Sequence, residues 1–157
     1  MKVLLVAILA LSFCGLIVAQ TQPKFGSKQF SDQLYEKEAV LAKHSQNVLE
    51  MLQGFISDTD KQSGNWAFDR EEKFDDRIGE ILTLSYMYQE MVDGRDKKIA
   101  KKYLILSCAS AGKIGLKSAE EINRMLPSIK SIALINEITQ MRDDVLNVMR
   151  LLEVCKK

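Results

Sequence analysis

The chain has 157 residues, of which 46% are hydrophobic, and its 22 basic and 21 acidic side chains give a formal net charge of +1. A chain of this length predicts a single domain with one hydrophobic core. The balanced charge argues against nucleic acid as a main partner, because phosphate binding is driven by an excess of positive charge.

The N-terminus has the pattern of a secretory signal peptide. Lys2 supplies a positive charge, residues 3–18 form an uncharged and mainly apolar run, and Ala19 is a small residue at the expected cleavage position. A membrane anchor is the alternative, since this run approaches the roughly 20 apolar residues that span a bilayer. Gly15 and the polar residues 20–23 favour cleavage.

Cleavage after Ala19 predicts one mature domain. Residues 1–19 form the signal peptide, and residues 20–157 form a single helical domain in which basic and acidic side chains balance. No later segment is apolar for long enough to span a bilayer. We therefore expect a secreted, extracellular protein with no stable insertion in a membrane once the signal peptide is removed.

Apolar residues spaced by three and four predict helix almost throughout the mature chain. The first predicted helix begins within residues 27–31 and ends at Gly54. The polar residues 57–65 that follow predict a loop. A second helix begins at Asp69, where the capping-box spacing to a glutamate indicates an N-cap, and ends near Gly94. The apolar face of the first helix contains Phe30, Leu34, Leu41, Val48, Leu52 and Phe55.

Two further helices are predicted in the C-terminal half. The third spans about residues 96–111, and Gly112 and Gly115 are expected to end it. The fourth spans about residues 118–154 and opens with another capping-box pattern. Pro127 lies inside it, where proline removes a backbone donor and clashes with the preceding turn, so we expect this last helix to be kinked or split there.

Four amphipathic helices with short connections predict an all-α fold, an antiparallel four-helix bundle. Cleavage of the predicted signal peptide would remove Cys14 and leave Cys108 and Cys155 in the mature protein. Two cysteines in an oxidising compartment most simply form one disulfide bond, which would join the fourth helix to the third. A free thiol or an intermolecular bridge is the alternative.

The sequence contains no recognisable catalytic constellation. The single histidine of the chain, His44, has no metal-ligating residue three or four positions away. Asp58, Asp60 and Gln62 have part of the spacing of a calcium loop, but Ser63 stands where that loop requires glycine, so a polar loop is the preferred interpretation. Four adjacent acidic pairs are predicted to be solvated: Glu71-Glu72, Asp75-Asp76, Glu120-Glu121 and Asp143-Asp144. We expect no enzymatic activity, no cofactor and no metal.

Two features are candidates for binding. Arg95, Lys97, Lys98, Lys101 and Lys102 form the densest cluster of charge, and helical spacing brings the lysines together. Such a patch suits an acidic protein surface, an anionic glycan or an anionic lipid, and a merely solvated helix face is the alternative. In the predicted connection after the first helix, Trp66 would either cover the end of the bundle or serve as a binding anchor.

The layout of the chain, with a signal peptide ending at Ala19 and a short helical mature domain, resembles small salivary proteins of blood-feeding insects, such as the anophensin-like group of mosquitoes. The resemblance spans the whole chain and concerns its architecture. It implies binding to host proteins, with inhibition of contact activation or complement. Members of that group carry more cysteines than Cys108 and Cys155, and no binding residue can be carried over.

Two functional hypotheses follow from the sequence. The first is a secreted, non-enzymatic binding protein or inhibitor that acts by protein–protein contact, with an extracellular protein or an anionic glycan as its partner. The second is an extracellular carrier that holds a small apolar ligand within the helical bundle.

Overall fold

The computed structural model describes residues 22–54 and 56–156. The predicted signal peptide lies outside the described residues, as does Phe55. Within the described ranges the chain forms four α-helices, and no β-strand is present there. The predicted all-α fold is confirmed. The helices are α1 (Lys28–Gln53), α2 (Asp58–Glu90), α3 (Arg95–Met125) and α4 (Ile132–Leu152), and the short 3₁₀ helices Leu126–Ser128 and Glu153–Lys156 follow α3 and α4.

The four helices form an antiparallel bundle. Helices α1 and α3 each pack against both α2 and α4, whereas α1 and α3 have no contact with one another among the described residues. They therefore occupy opposite corners. Ser31 in the first turn of α1 lies 2.7 Å from Ser85 near the end of α2, Oγ to Oγ, which sets the antiparallel register of this pair.

Serine side chains begin three of the four helices. The Oγ atoms of Ser27, Ser57 and Ser131 each accept a hydrogen bond from the backbone N–H three residues later, at 3.2, 3.2 and 3.4 Å. Each bond satisfies one of the N–H groups that the first turn of a helix leaves without a backbone partner.

The predicted loop over residues 57–65 is wrong, because this segment forms the first two turns of α2. Asp60 is buried there and accepts hydrogen bonds from the backbone N–H groups of Lys130 and Ser131, at 2.8 and 3.2 Å. Its carboxylate thus caps the start of α4 from a distance of 70 residues along the chain. Both carboxylate oxygens of Asp60 accept these hydrogen bonds within a helical segment, which does not fit the calcium-loop interpretation.

Glycine plays a packing role inside these helices. A Cβ atom on Gly64 would lie 2.4 Å from the side chain of Leu52, so glycine lets α2 approach α1 closely. On Gly115 a Cβ atom would lie 2.7 Å from the ring of Phe74 and 2.9 Å from the sulfur of Met149. The expected end of the third helix at Gly112 and Gly115 is therefore wrong, and α3 continues through both positions.

The predicted break at Pro127 is confirmed, but it separates α3 from α4. The segment that begins at Ser118, predicted to open the last helix, belongs to α3. Pro127 lies in the 3₁₀ turn Leu126–Ser128, and α4 begins at Ile132.

The predicted disulfide bond is present. Cys108 in α3 is bonded to Cys155 in the 3₁₀ turn after α4, with the two Cα atoms 6.3 Å apart. Both cysteines are buried. The interior is filled by large apolar side chains that are fully buried: Phe30, Leu34, Leu41, Phe74, Ile78, Ile81, Leu104, Ile122, Leu134, Ile138 and Met141.

Candidate functional site

The predicted basic patch is divided between two environments at the start of α3. The Lys97 ammonium lies 5.2 Å from the ring centre of Tyr88, and the Lys101 ammonium lies 5.6 Å from that of Phe25. These two lysines cover aromatic rings that pack edge to face, 5.8 Å apart. The patch remains largely accessible, since Lys97 is half-buried and the other four members are exposed. Lys97 therefore joins α3 to α2, and Lys101 joins α3 to the N-terminal segment.

Trp66 was predicted to lie in a connection, and this is wrong. It lies within α2, where it is half-buried. It is far from the predicted basic patch, because about 24 residues of helix, or roughly 36 Å, separate it from the end of α2 beside which α3 begins. The guanidinium of Arg70, one turn further along α2, stacks over the indole at 4.9 Å. The structure does not bring Trp66 and the predicted patch into one site.

Trp66 instead belongs to a groove between α2 and α3, which we call the α2–α3 groove. Its main part encloses about 560 Å³, and a second part of about 390 Å³ adjoins it through a shared residue, Glu121. The main part is lined by Arg70, Lys73, Asp76, Arg77, Ile114, Lys117, Ser118 and Glu121, and the second part by Gln62, Ser63, Trp66, Glu121, Arg124 and Met125. Five of these residues are cations and two are acids, so the groove is basic.

The cations of the α2–α3 groove are held by ion pairs. Arg70 Nε lies 2.8 Å from the Glu121 carboxylate, which also approaches the Lys117 ammonium at 3.8 Å. Arg70 Nε and Glu121 Oε2 are both buried, but their contact does not have the alignment of a hydrogen bond. Neither atom therefore has a hydrogen-bond partner. Lys73 and Arg77 pair with acids on α2, at 2.8 and 2.7 Å. These are exposed pairs that a partner can displace at little cost.

The opposite side of α2 buries carboxyl groups against α1. Glu71, predicted to be solvated, is only 2% exposed. Burial is the main cause that raises the pKa of Glu71 to about 7, and repulsion by Asp75 adds to it. Burial and the charge of Glu38 raise the pKa of Asp75 to about 6, and Asp75 Oδ1 is buried without a hydrogen-bond partner. The prediction that the acidic pairs are solvated is therefore wrong for Glu71 and for Asp75.

A hydroxyl next to Glu71 opposes the effect of burial. Ser45 lies within hydrogen-bonding reach of Glu71, and the Ser45 hydroxyl also donates to the carbonyl oxygen of Leu41 at 3.1 Å. The hydrogen bond with Ser45 lowers the pKa of Glu71, but a serine hydroxyl has only one proton to donate, and Leu41 competes for it. Burial therefore outweighs this hydrogen bond, and the pKa of Glu71 stays raised.

His44 bridges α1 and α4. Its Nδ1 lies 2.8 Å from Glu137 Oε2, and its Nε2 lies 3.8 Å from Asp144 Oδ2. Asn47 also donates to Glu137, at 3.1 Å. The hydrogen bond from His44 lowers the pKa of Glu137, whereas burial raises that of Asp144. No local pattern in the sequence indicates this pairing, because His44 and Glu137 are 93 residues apart and Asn47 and Glu137 are 90 residues apart.

Residues 22–54 and 56–156 contain no group of three His, Cys, Asp or Glu side chains arranged to hold a metal ion. In the same part of the chain, no helix combines the length and apolar character needed to cross a membrane. No protein-family model, curated protein or solved structure matches the chain.

The α2–α3 groove does not coincide with the densest run of charge in the sequence, from which the basic patch was predicted. Arg70, Lys73 and Arg77 are spaced by three and four residues, which places them along one side of a helix. That signal is present in the sequence. The contribution of Lys117 is not, because it depends on which side of α3 faces α2.

Proposed function

We propose that the protein is a secreted, non-enzymatic binding protein that inhibits an extracellular partner by occupying an acidic surface on it through the α2–α3 groove. The observation that carries the proposal is the composition of the groove. It combines the half-buried Trp66–Arg70 stack with three largely exposed cations, Lys73, Arg77 and Lys117. Tryptophan and arginine are the residues most enriched at the energetic centres of protein interfaces.

Charge complementarity favours an acidic protein as the occupant of the groove. The arginines can each bind a carboxylate in a bidentate manner, and Trp66 offers a rigid apolar surface next to them. The predicted signal peptide and the Cys108–Cys155 bond support an extracellular location.

The resemblance to salivary proteins of blood-feeding insects suggests which partners to test first. We propose proteins of host contact activation and of complement. Purified components of both pathways can be immobilised individually and tested for binding to the protein produced from the full chain. Inhibition is measured in parallel as clotting time after contact activation and as complement-dependent lysis.

Variants of the groove provide the decisive comparison. Arg77→Glu combined with Lys117→Glu is expected to weaken partner binding at least about tenfold, and Trp66→Ala by a similar factor. Lys98→Glu combined with Lys102→Glu is the matched control at the other end of the bundle, and we expect it to leave binding unchanged. Circular dichroism establishes that all variants fold.

Three outcomes would overturn the proposal. If the control variant loses binding and the groove variant does not, the site is the predicted basic patch at the start of α3. If heparin is bound through the groove with the same loss in the variants and no pathway protein is bound, the partner is a glycan. Absence of binding and of inhibition in every assay would reject the proposed inhibitory role.

A further inference from the structure

A second groove lies on the side of α3 that faces α4, away from the α2–α3 groove. It encloses about 610 Å³, within the range of small-molecule sites, and is open along one side. The disulfide bond between Cys108 and Cys155 forms part of its floor. Its apolar walls are Ile105 and Leu116 of α3 with Met149 and Leu152 of α4, and we call it the disulfide groove.

Two observations concern how open the groove is. Gly112 lies in its lining, and a Cβ atom at this position would meet nothing within 4 Å. Packing therefore does not require glycine here, although glycine inside a helix costs about 1 kcal/mol relative to alanine. Ile105 and Leu116 remain 37% and 50% exposed on its walls, which is unfavourable in water unless an apolar group covers them.

The charge at the edge of the groove selects the ligand. Lys113 and Lys156 both line it, and Lys156 pairs with Glu153. Within residues 22–54 and 56–156, no carboxylate forms an ion pair with Lys113. Glu153 also lines the groove, so among the described residues the groove presents one ammonium group, that of Lys113, outside any ion pair and beside an elongated apolar surface.

We propose that the disulfide groove binds a single-chain anionic amphiphile, such as a fatty acid, with its hydrocarbon chain against Ile105, Leu116 and Met149 and its carboxylate at Lys113. This activity is separate from the proposed inhibition, because the two grooves lie on different sides of α3. The ligand lies between helices at the surface, whereas the buried core is filled by side chains.

The experiment uses isothermal titration of the protein produced from the full chain, with dodecanoate below its micelle concentration as the probe. We expect saturable binding of one dodecanoate per protein. Dodecyltrimethylammonium, which has the same chain and the opposite charge, is expected to bind about tenfold more weakly. Lys113→Gln should remove most of that preference, and Lys98→Gln, which changes the same charge elsewhere on α3, should not.

A pair of glycine variants tests the location. Gly112→Leu places a side chain in the groove and should weaken dodecanoate binding at least about tenfold, since it displaces several methylene contacts. Gly79→Leu is the matched control, because Gly79 is also a helical glycine with nothing within 4 Å and lies on α2 outside the groove. Equal affinities of the two variants, binding of many dodecanoate molecules per protein, or no binding at all would each overturn the proposal.

Discussion

The two sides of helix α2 carry charges of opposite sign in different environments. Towards α1 it buries Glu71 and part of Asp75 without a cation to pair with them. Towards α3 it displays Arg70, Lys73 and Arg77, each paired with a carboxylate. The buried acids reduce stability at neutral pH because their charged forms lose solvation. Lys73 and Arg77 are in exposed pairs that contribute little to stability and remain accessible, which is why we place binding on that side.

The largest expected effect is on stability and comes from removing the disulfide bond. It tests whether the two sides of α2 both depend on this bond. Replacing Cys108 and Cys155 together by alanine opens a loop with a sequence separation of 47 residues. On the chain-entropy model, this lowers the free energy of unfolding by about 4 kcal/mol. Urea titration measures the loss.

The bond joins α3 to the end of α4 and does not touch the contact between α1 and α2. The dependence of stability on pH that arises from Glu71 should therefore persist in the double variant. If it disappears, the buried acids depend on the whole bundle and the two sides of α2 are not independent.

The next largest effect concerns Glu71. Its pKa is raised in the folded state, so folding binds a proton, and stability is lost as pH rises from about 4.5 through 7. Glu71→Gln should remove this loss and raise the free energy of unfolding by about 3 kcal/mol at pH 8, with almost no change at pH 4. Urea titrations at the two pH values measure it.

Glu72→Gln is the matched control, because Glu72 is exposed on the same helix. Its charge is one of the smaller causes that raise the pKa of Glu71, so the pH dependence should change only slightly. A Glu71→Gln protein that is less stable than the parent at pH 8 would show that the ionised carboxylate is stabilised in the fold.

A smaller effect of the same sign is expected at Asp75, whose carboxyl group is less deeply buried. Its pKa is raised to about 6, so stability from its neutral form is lost between about pH 4 and pH 6. Asp75→Asn should raise the free energy of unfolding by about 1 kcal/mol at pH 7.5. Thermal unfolding at pH 4 and pH 7.5 measures it, and an equal shift at both would contradict the assignment to ionisation.

The smallest effect on stability is expected on the side of α2 that faces α3. Arg77→Gln removes an exposed ion pair with Glu80 and should change the free energy of unfolding by less than about 0.5 kcal/mol. The same urea titration measures it. A loss of more than about 1 kcal/mol would mean that the cations of the α2–α3 groove serve the fold and would remove the contrast with the buried acids.

The sequence by itself determined the fold class, the four helices and the partners of the disulfide bond. Apolar residues at spacings of three and four fix which face of each helix is buried, and Leu34, Leu41 and Val48 are buried as predicted. Cys108 and Cys155 are the two cysteines of the predicted mature chain, and the fold brings their Cα atoms to 6.3 Å, a distance that allows the bond. Pro127 marked a helix boundary because its backbone cannot continue the hydrogen-bond pattern.

Only the tertiary structure decided where α2 begins, where α3 ends and which charges are buried. Residues 57–65 are polar and contain a glycine, yet they are helical because Asp60 binds the start of α4 and Gly64 fits against Leu52. The burial of Glu71 and the pairing of Arg70 with Glu121 likewise depend on helices that are distant in the sequence. Local patterns report propensity, whereas burial and pairing are set by the neighbour that the fold supplies.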